Sequence, residues 1–264
     1  MGDRGWGTVQ DSSTIPFPEL VQRAAKVLRE ARHVCVLTGA GISAESGIPT
    51  FRDALTGLWS KFRPEELATL EAFERDPQLV WQWYEWRRDL VRQAQPNAGH
   101  RALAELARRV PRLTLVTQNV DGLHQRAGSP AVLEYHGNIL RDRCMLEQVV
   151  ADRAEDSRHG VPRCSACGGL LRPDVVWFGE AIPREAMLLA AAAADDCDAF
   201  LSIGTSSLVY PAAGLAEVAL QRRVPVIEVN PNPTDLSAAA DLVLQGPAGT
   251  ILPLLLEQLA RPPG

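Results

Sequence analysis

Two periods of apolar residues organise this chain. Leu20, Ala24, Val27 and Leu28 recur at helical spacing, and the unbroken run His33-Val34-Cys35-Val36-Leu37-Thr38 follows them. The pattern predicts a helix from about Pro18 to Ala31 and then a buried strand. Residues 56 to 110 read as helical and irregular, with Pro64, Pro77 and Pro96 as breaks. Strand patterns return at Leu113–Val116, Ala131–Tyr135, Val175–Trp177, Phe200–Ile203 and Val224–Val229. Helical patterns over Arg184–Ala194, Pro211–Gln221 and Ile251–Leu259 fill the later intervals. Strands alternating with helices predict an α/β fold, a parallel sheet covered on both faces. Residues 141 to 173 break the alternation: they are charged and turn-rich, and read as an insertion forming a small second lobe. No internal repeat is visible.

Composition narrows the function classes. A length of 264 residues suits one large domain, or a domain with an insert. With 46% hydrophobic and 22% charged residues, the chain reads as a soluble globular protein. A net charge of −5 argues against sequence-wide attraction to nucleic acid. No apolar run reaches the ~18 residues that a membrane span needs. Met1 to Thr14 is polar and Gly-rich, reads as a frayed leader and lacks the apolar core of a signal peptide. Five cysteines are too few and scattered for a disulfide scaffold, so a reducing, cytoplasmic location is expected. Cys35 and Cys197 flank or sit in apolar strands and read as small buried hydrophobes.

Candidate chemistry gathers after the strands. Gly39-Ala40-Gly41 follows the first one, and a helix opening near Ile42 would aim free amides at a phosphate. The turn lacks the third glycine of the usual dinucleotide fingerprint, so a plain strand-to-helix link is the competing reading. Ligands of doubly wound sheets lie beyond the carboxyl ends of the strands. Thr117-Gln118-Asn119-Val120-Asp121, Gly204-Thr205-Ser206 and Asn230-Pro231-Asn232 all occupy such ends, in register with the glycine turn. His136 ends a strand too; it reads either as a general base or as a hydrogen-bonded structural histidine. His124 reads as structural.

Taken in order, Gly39-Ala-Gly-Ile-Ser43 with its continuation through Phe51-Arg52-Asp53, Thr117-Gln-Asn-Val-Asp121, His136-Gly137, Val176-Trp-Phe-Gly-Glu180, Gly204-Thr-Ser206 and Asn230-Pro-Asn232 resemble the motif set of the sirtuins, NAD-dependent protein deacylases. The resemblance covers roughly residues 20 to 260. It implies a Rossmann-like doubly wound parallel sheet in a large domain of approximately 15–53, 98–140 and 174–260. A small domain of approximately 54–97 and 141–173 would be helical plus zinc-ribbon-like. Gly39, Ala40, Gly41 and Ser43 would cradle the NAD diphosphate, with Phe51 and Arg52 closing over it. Gln118, Asn119, Val120 and Asp121 would line the nicotinamide and ribose pocket. Gly204, Thr205, Ser206, Asn230, Asn232 and Ala248 would contact the adenosine half. Val176, Phe178 and Gly179 would pair with an acyl-lysine peptide as an added strand. His136 would be the base, assisted by Asn119 and Asp121: the acyl oxygen attacks the ribose carbon, nicotinamide departs, and a ribose hydroxyl deprotonated by His136 takes the acyl group. The products are lysine, nicotinamide and O-acyl-ADP-ribose.

Two features refine the expectation. Tyr84 and Arg87 are three apart in an aromatic helical segment and share a face. Together they suit a carboxylate; otherwise Trp81 and Tyr84 are core and Arg87 is solvated. The Tyr-x-x-Arg pattern resembles the sirtuin branch that removes succinyl and malonyl groups, with small Ala54 leaving room for the longer chain. Deacetylation is expected to be weaker. The second feature is a departure. Where the family carries two Cys pairs for one structural zinc, this chain has Cys164 and Cys167 but only Cys144 of the other pair, with Glu147 in the fourth place. Glu147, His159 or a water could complete a zinc site, or the lobe could hold by packing without metal. Transfer of ADP-ribose to another acceptor, NAD hydrolysis and non-catalytic ADP-ribose binding are the alternative activities. A monomer without nucleic-acid or membrane partners is expected.

Overall fold

The computed structural model describes residues 15–49, 63–155 and 160–261. Its main body is a six-stranded, wholly parallel sheet built from β1 (His33–Thr38), β2 (Arg112–Thr117), β3 (Leu133–Glu134), β6 (Ala199–Ile203), β7 (Val226–Asn230) and β8 (Leu242–Gln245). Their spatial order is β3-β2-β1-β6-β7-β8. The chain therefore leaves β1 in one direction and later returns to its other side, which places a switch point at the carboxyl ends of β1, β2 and β6. Period-two side chains explain the burial of β1 on both faces. Val34 and Val36 join Leu20, Leu28, Leu103 and Leu252 in one core, under α1 (Phe17–Glu30), α6 (Ala98–Arg109) and α10 (Ala248–Ala260). Cys35 and Leu37 join Ala190, Ala194, Leu215 and Ala219 in the other, under α8 (Arg184–Asp196) and α9 (Gly214–Gln221).

A separate antiparallel pair, β4 (Gly137–Cys144) with β5 (Leu171–Val175), carries the inserted lobe. Beside it lie α3 (Pro64–Leu67), α4 (Leu70–Arg75) and α5 (Pro77–Gln93). Phe73, Trp83, Tyr84, Ile139, Val175 and Trp177 form the shared core of these elements. Asp76 caps α5 by accepting from the Leu79 amide at 3.0 Å, and Pro77 suits the first helical position. Across the lobe runs an ion network absent from the sequence reading. Buried Arg88 reaches Glu85 at 2.7 Å and Asp142 at 2.5 Å, and Arg153 closes the circuit on Asp142 at 2.6 Å.

Two strand assignments need correction. The segment expected as a strand at Val175–Trp177 is instead the exit from β5, which ends at Val175. The expected strand over Ala131–Tyr135 shortens to the two residues of β3. The helix predicted from Pro211 starts at Gly214, and the pair β4 and β8 carried no predicted strand.

Candidate active site

The floor of the switch-point cleft is backbone packed on backbone. The Gly39 amide donates to the Ile203 carbonyl at 3.0 Å, and the Gly41 amide donates to the Gly204 carbonyl at 2.9 Å. A Cβ on Gly41 would lie 2.7 Å from the Gly204 Cα, and one on Gly204, whose φ is +60°, would lie 2.5 Å from the Ile42 nitrogen. Glycine is therefore required on both sides of the contact. The helix after the turn, α2 (Gly41–Ala44), is a single turn.

Side chains interlock above this floor. Asn119 donates from Nδ2 to the Gly39 carbonyl at 3.0 Å and to Ser43 Oγ at 3.1 Å. Ser43 in turn donates to Asp121 Oδ2 at 2.7 Å, and the Leu123 amide donates to Asp121 Oδ1 at 2.9 Å. Burial pushes the Asp121 carboxyl above its ordinary range, against the pull of these donors. Thr205 accepts or donates to Ser202 at 2.9 Å, and Asn230 Nδ2 donates to the Thr205 carbonyl at 2.7 Å. Asn232 lies beside Asn230 through its amide, and Ala248 opens α10 against Gly99. Leu37, Gln118, Thr205 and Ser207 line one small cavity beneath the strand ends. Strand ends that are far apart in sequence thus converge: the Gly39–Ser43 turn, the Gln118–Asp121 loop, and the Gly204–Ser206 and Asn230–Asn232 loops. Phe51, Arg52 and Ala54 lie outside the described residues.

His136 stands between β3 and β4, half-buried. Its Nδ1 is 3.1 Å from the Gln118 carbonyl. A carbonyl only accepts, so Nδ1 carries the hydrogen and Nε2 is left with its lone pair in the neutral ring. Burial lowers the His136 pKa below the usual imidazole value, and the Gln118 bond opposes the shift. His124, by contrast, is enclosed: its Nε2 lies 2.9 Å from Thr38 Oγ1, and its ring meets His100 edge-on at 4.8 Å.

On α5, Tyr84 is 1% exposed and belongs to the core, as the blander reading held. Arg87 departs from that reading. It is only half exposed, and its guanidinium lies 4.9 Å from the Trp83 ring centre and 5.7 Å from that of Tyr84. Burial depresses the Arg87 pKa, and the Asp121 charge opposes the shift. The Tyr84 hydroxyl accepts from Trp177 Nε1 at 2.9 Å, and burial pushes its pKa up to about 12, so it remains a neutral phenol. In the Val176–Glu180 segment, the Val176 amide donates to the His136 carbonyl and the Phe178 amide to the Ala68 carbonyl, both at 2.9 Å. Phe178 and Gly179 are exposed.

Residues 39–211 match the sequence profile of the Sir2 family. This chain belongs to that family. An NAD-dependent protein deacylase of Methylococcus capsulatus is 51% identical over 242 residues, 89% of this chain and 95% of the relative. One of Ralstonia nicotianae is 53% identical over 229 residues, 87% of this chain and 93% of the relative. A Sir2 homologue solved with NAD superposes with a TM-score of 0.82 at 43% identity, covering 90% of this chain and 93% of that one. Sir2Af2 bound to a myristoylated histone peptide gives a TM-score of 0.74 at 35% identity, covering 91% and 96%. NAD is accordingly the cofactor of this sirtuin.

The sirtuin's inserted lobe brings Cys144, Cys164 and Cys167 together. Their sulfurs all lie within 4.8 Å of one another, with Cys144 and Cys167 at 3.4 Å. Three thiolates at this spacing fit three corners of a tetrahedral zinc site, where each Zn–S bond is ~2.3 Å. Glu147 does not bring its carboxylate into the group. Its side chain is exposed, and its contribution is a backbone N–H donated to Cys144 Sγ at 3.4 Å. His159 lies outside the described residues.

Proposed function

We propose that this sirtuin is an NAD-dependent protein-lysine deacylase that removes succinyl and malonyl groups, and acetyl groups more slowly. The class of reaction is supported by family membership and by relatives bearing that name. The charged-acyl preference rests on one observation: a neutral phenol and a partly desolvated guanidinium, Tyr84 and Arg87, share a face of α5, with Arg87 within electrostatic reach of Asp121. A partly desolvated cation with a hydroxyl donor at its side suits a terminal carboxylate.

NAD supplies the electrophilic ribose carbon and the hydroxyl that takes the acyl group. His136 accepts a proton at Nε2, the nitrogen its Gln118 bond leaves basic. Asp121, held by the Ser43 and Leu123 bonds, accepts from the nicotinamide carboxamide in this reading, and Asn119 ties that loop to the glycine turn. The glycines of 39–41 and 204–206, whose Gly39, Gly41 and Gly204 amides are spent on carbonyls within the fold, let the main chain come close to the diphosphate and adenosine side. A substrate peptide pairs along the exposed Gly179 main chain, since the Val176 and Phe178 amides are already engaged within the fold. Cys144, Cys164 and Cys167 would hold zinc, which would serve structure alone.

The test is turnover of one peptide in succinyl-lysine and acetyl-lysine forms, with O-succinyl-ADP-ribose sought by mass spectrometry. Arg87→Met should lower the succinyl-to-acetyl ratio of kcat/KM by at least about 100-fold, since a buried carboxylate without its partner costs ~3–5 kcal/mol. Equal loss on both substrates would remove the carboxylate role. Nicotinamide release without peptide would indicate a glycohydrolase, and tight ADP-ribose binding without turnover a binding module.

A further inference from the structure

We infer that Trp177 is a specificity-determining residue: by donating its indole N–H to the Tyr84 oxygen it leaves the hydroxyl hydrogen to be donated elsewhere, favouring acyl groups that end in an acceptor such as a carboxylate. The inference rests on the charged-acyl reading above. An indole nitrogen only donates. Trp177 Nε1 stands 2.9 Å from Tyr84 Oη, so the phenol oxygen is the acceptor of that bond. The phenol's own hydrogen must then go to another partner, and among the described residues no acceptor takes it. Tyr84 is 1% exposed, so bulk water does not serve it freely. Accepting one hydrogen bond also strengthens a hydroxyl as a donor of the next.

The indole is held firmly enough to set this direction. Its ring is 2% exposed and packs 5.4 Å from Phe73, centre to centre. The Arg172 guanidinium lies 4.1 Å from the ring centre on a side chain that also reaches Glu180 at 2.9 Å. Glu180 closes the loop by accepting from the Trp177 amide at 2.8 Å, and its own amide donates to the Trp177 carbonyl at 3.0 Å. The chain Glu180–Arg172–Trp177–Tyr84 therefore joins the exposed peptide-docking stretch to the acyl end. Arg87 adds charge at that end; Trp177 adds direction.

The experiment measures kcat/KM at saturating NAD for succinyl-lysine and acetyl-lysine forms of one peptide, in the parent enzyme, Trp177→Phe, Tyr84→Phe and the double variant. Phenylalanine keeps a ring and removes the N–H. The expected result is a succinyl-to-acetyl ratio about fivefold lower for Trp177→Phe, carried mainly by the succinyl KM, as for loss of one neutral hydrogen bond. Tyr84→Phe should lower the ratio at least as far, and Trp177→Phe should lower it no further in the Tyr84→Phe background. The inference is overturned if Trp177→Phe leaves the ratio within twofold while Arg87→Met lowers it, in which case the charged-acyl reading survives. Independent, multiplying losses in the double variant also overturn it. If Arg87→Met leaves the ratio unchanged as well, the reading itself fails. Should Trp177→Phe not fold, nitrogen-labelled tryptophan in the parent enzyme decides the matter. The Trp177 indole resonance should move further with succinyl-lysine peptide than with acetyl-lysine peptide, and equal movement counts against the inference.

Discussion

His136 shows how a single contact sets a residue's chemistry. Its Gln118 bond chooses the tautomer, and burial keeps the ring neutral. His136→Ala should reduce kcat by about 10²–10⁴ on every acyl group, the range for loss of a general base. In the parent enzyme the acid limb of kcat/KM should fall below the ordinary imidazole pKa of ~6.5, because the shift is downward and the base form persists as pH drops. A limb above that value would contradict the buried, neutral ring. Gly204 makes the second prediction at this scale. Alanine there must adopt φ near +60° and put a Cβ 2.5 Å from the Ile42 nitrogen. Gly204→Ala should raise the KM for NAD about tenfold or more and lower Tm, both measurable in one preparation. The strand-end motifs were legible because each is a short polar or glycine-rich word after an apolar run. The Trp177–Tyr84 bond was not, since no spacing rule links positions in a loop and a helix so far apart in the chain.

Elements that the sequence hid are those without a clean period. The β4 strand, Gly-Asn-Ile-Leu-Arg-Asp-Arg-Cys, is mostly polar and carries a register shift between Asn138 and Asp142. Its ladder to β5 is nonetheless held in place by Arg141 and Arg143 on Asp174, at 3.0 and 2.8 Å. The short β8 has too few residues to show a period, and its pairing with β7 identifies it. Arg88, to which no pattern assigns a role, is buried between two carboxylates contributed by different elements. In the same lobe the cysteine turns make a quantitative claim. Protein purified without chelator should contain about one zinc per chain, and Cys164→Ser should lose it together with several degrees of Tm. Full metal-free stability in both forms would show that packing alone holds the lobe.

At the scale of the molecule, buried histidines couple folding to pH. His100 and His124 sit against each other in the core, with pKa values lowered to about 4 and about 3, burial being the larger cause for both. In the unfolded chain each would titrate near ~6.5. Below that pH the unfolded state binds protons that the native state refuses, so stability declines as pH falls through the interval down to about 4. The slope should approach ~1.4 kcal/mol per pH unit for each imidazole. Urea midpoints between pH 6.5 and 4.5 would measure it, and His124→Gln should remove about one proton's share. An unchanged slope would mean that the ring is not neutral in the fold.

The sheet and its two cores were readable from alternating apolar periods, and its closing strand order follows from the way β1 is shared by both halves. That shared strand has a further consequence. Its glycine turn and the Gly204 turn touch through main-chain atoms alone, so this seat offers almost no side chain to vary. Efforts to make this catalyst accept an altered nucleotide should therefore target the rim, at Asn230, Asn232 and the start of the last helix. Libraries directed at the seat would return mostly inactive clones.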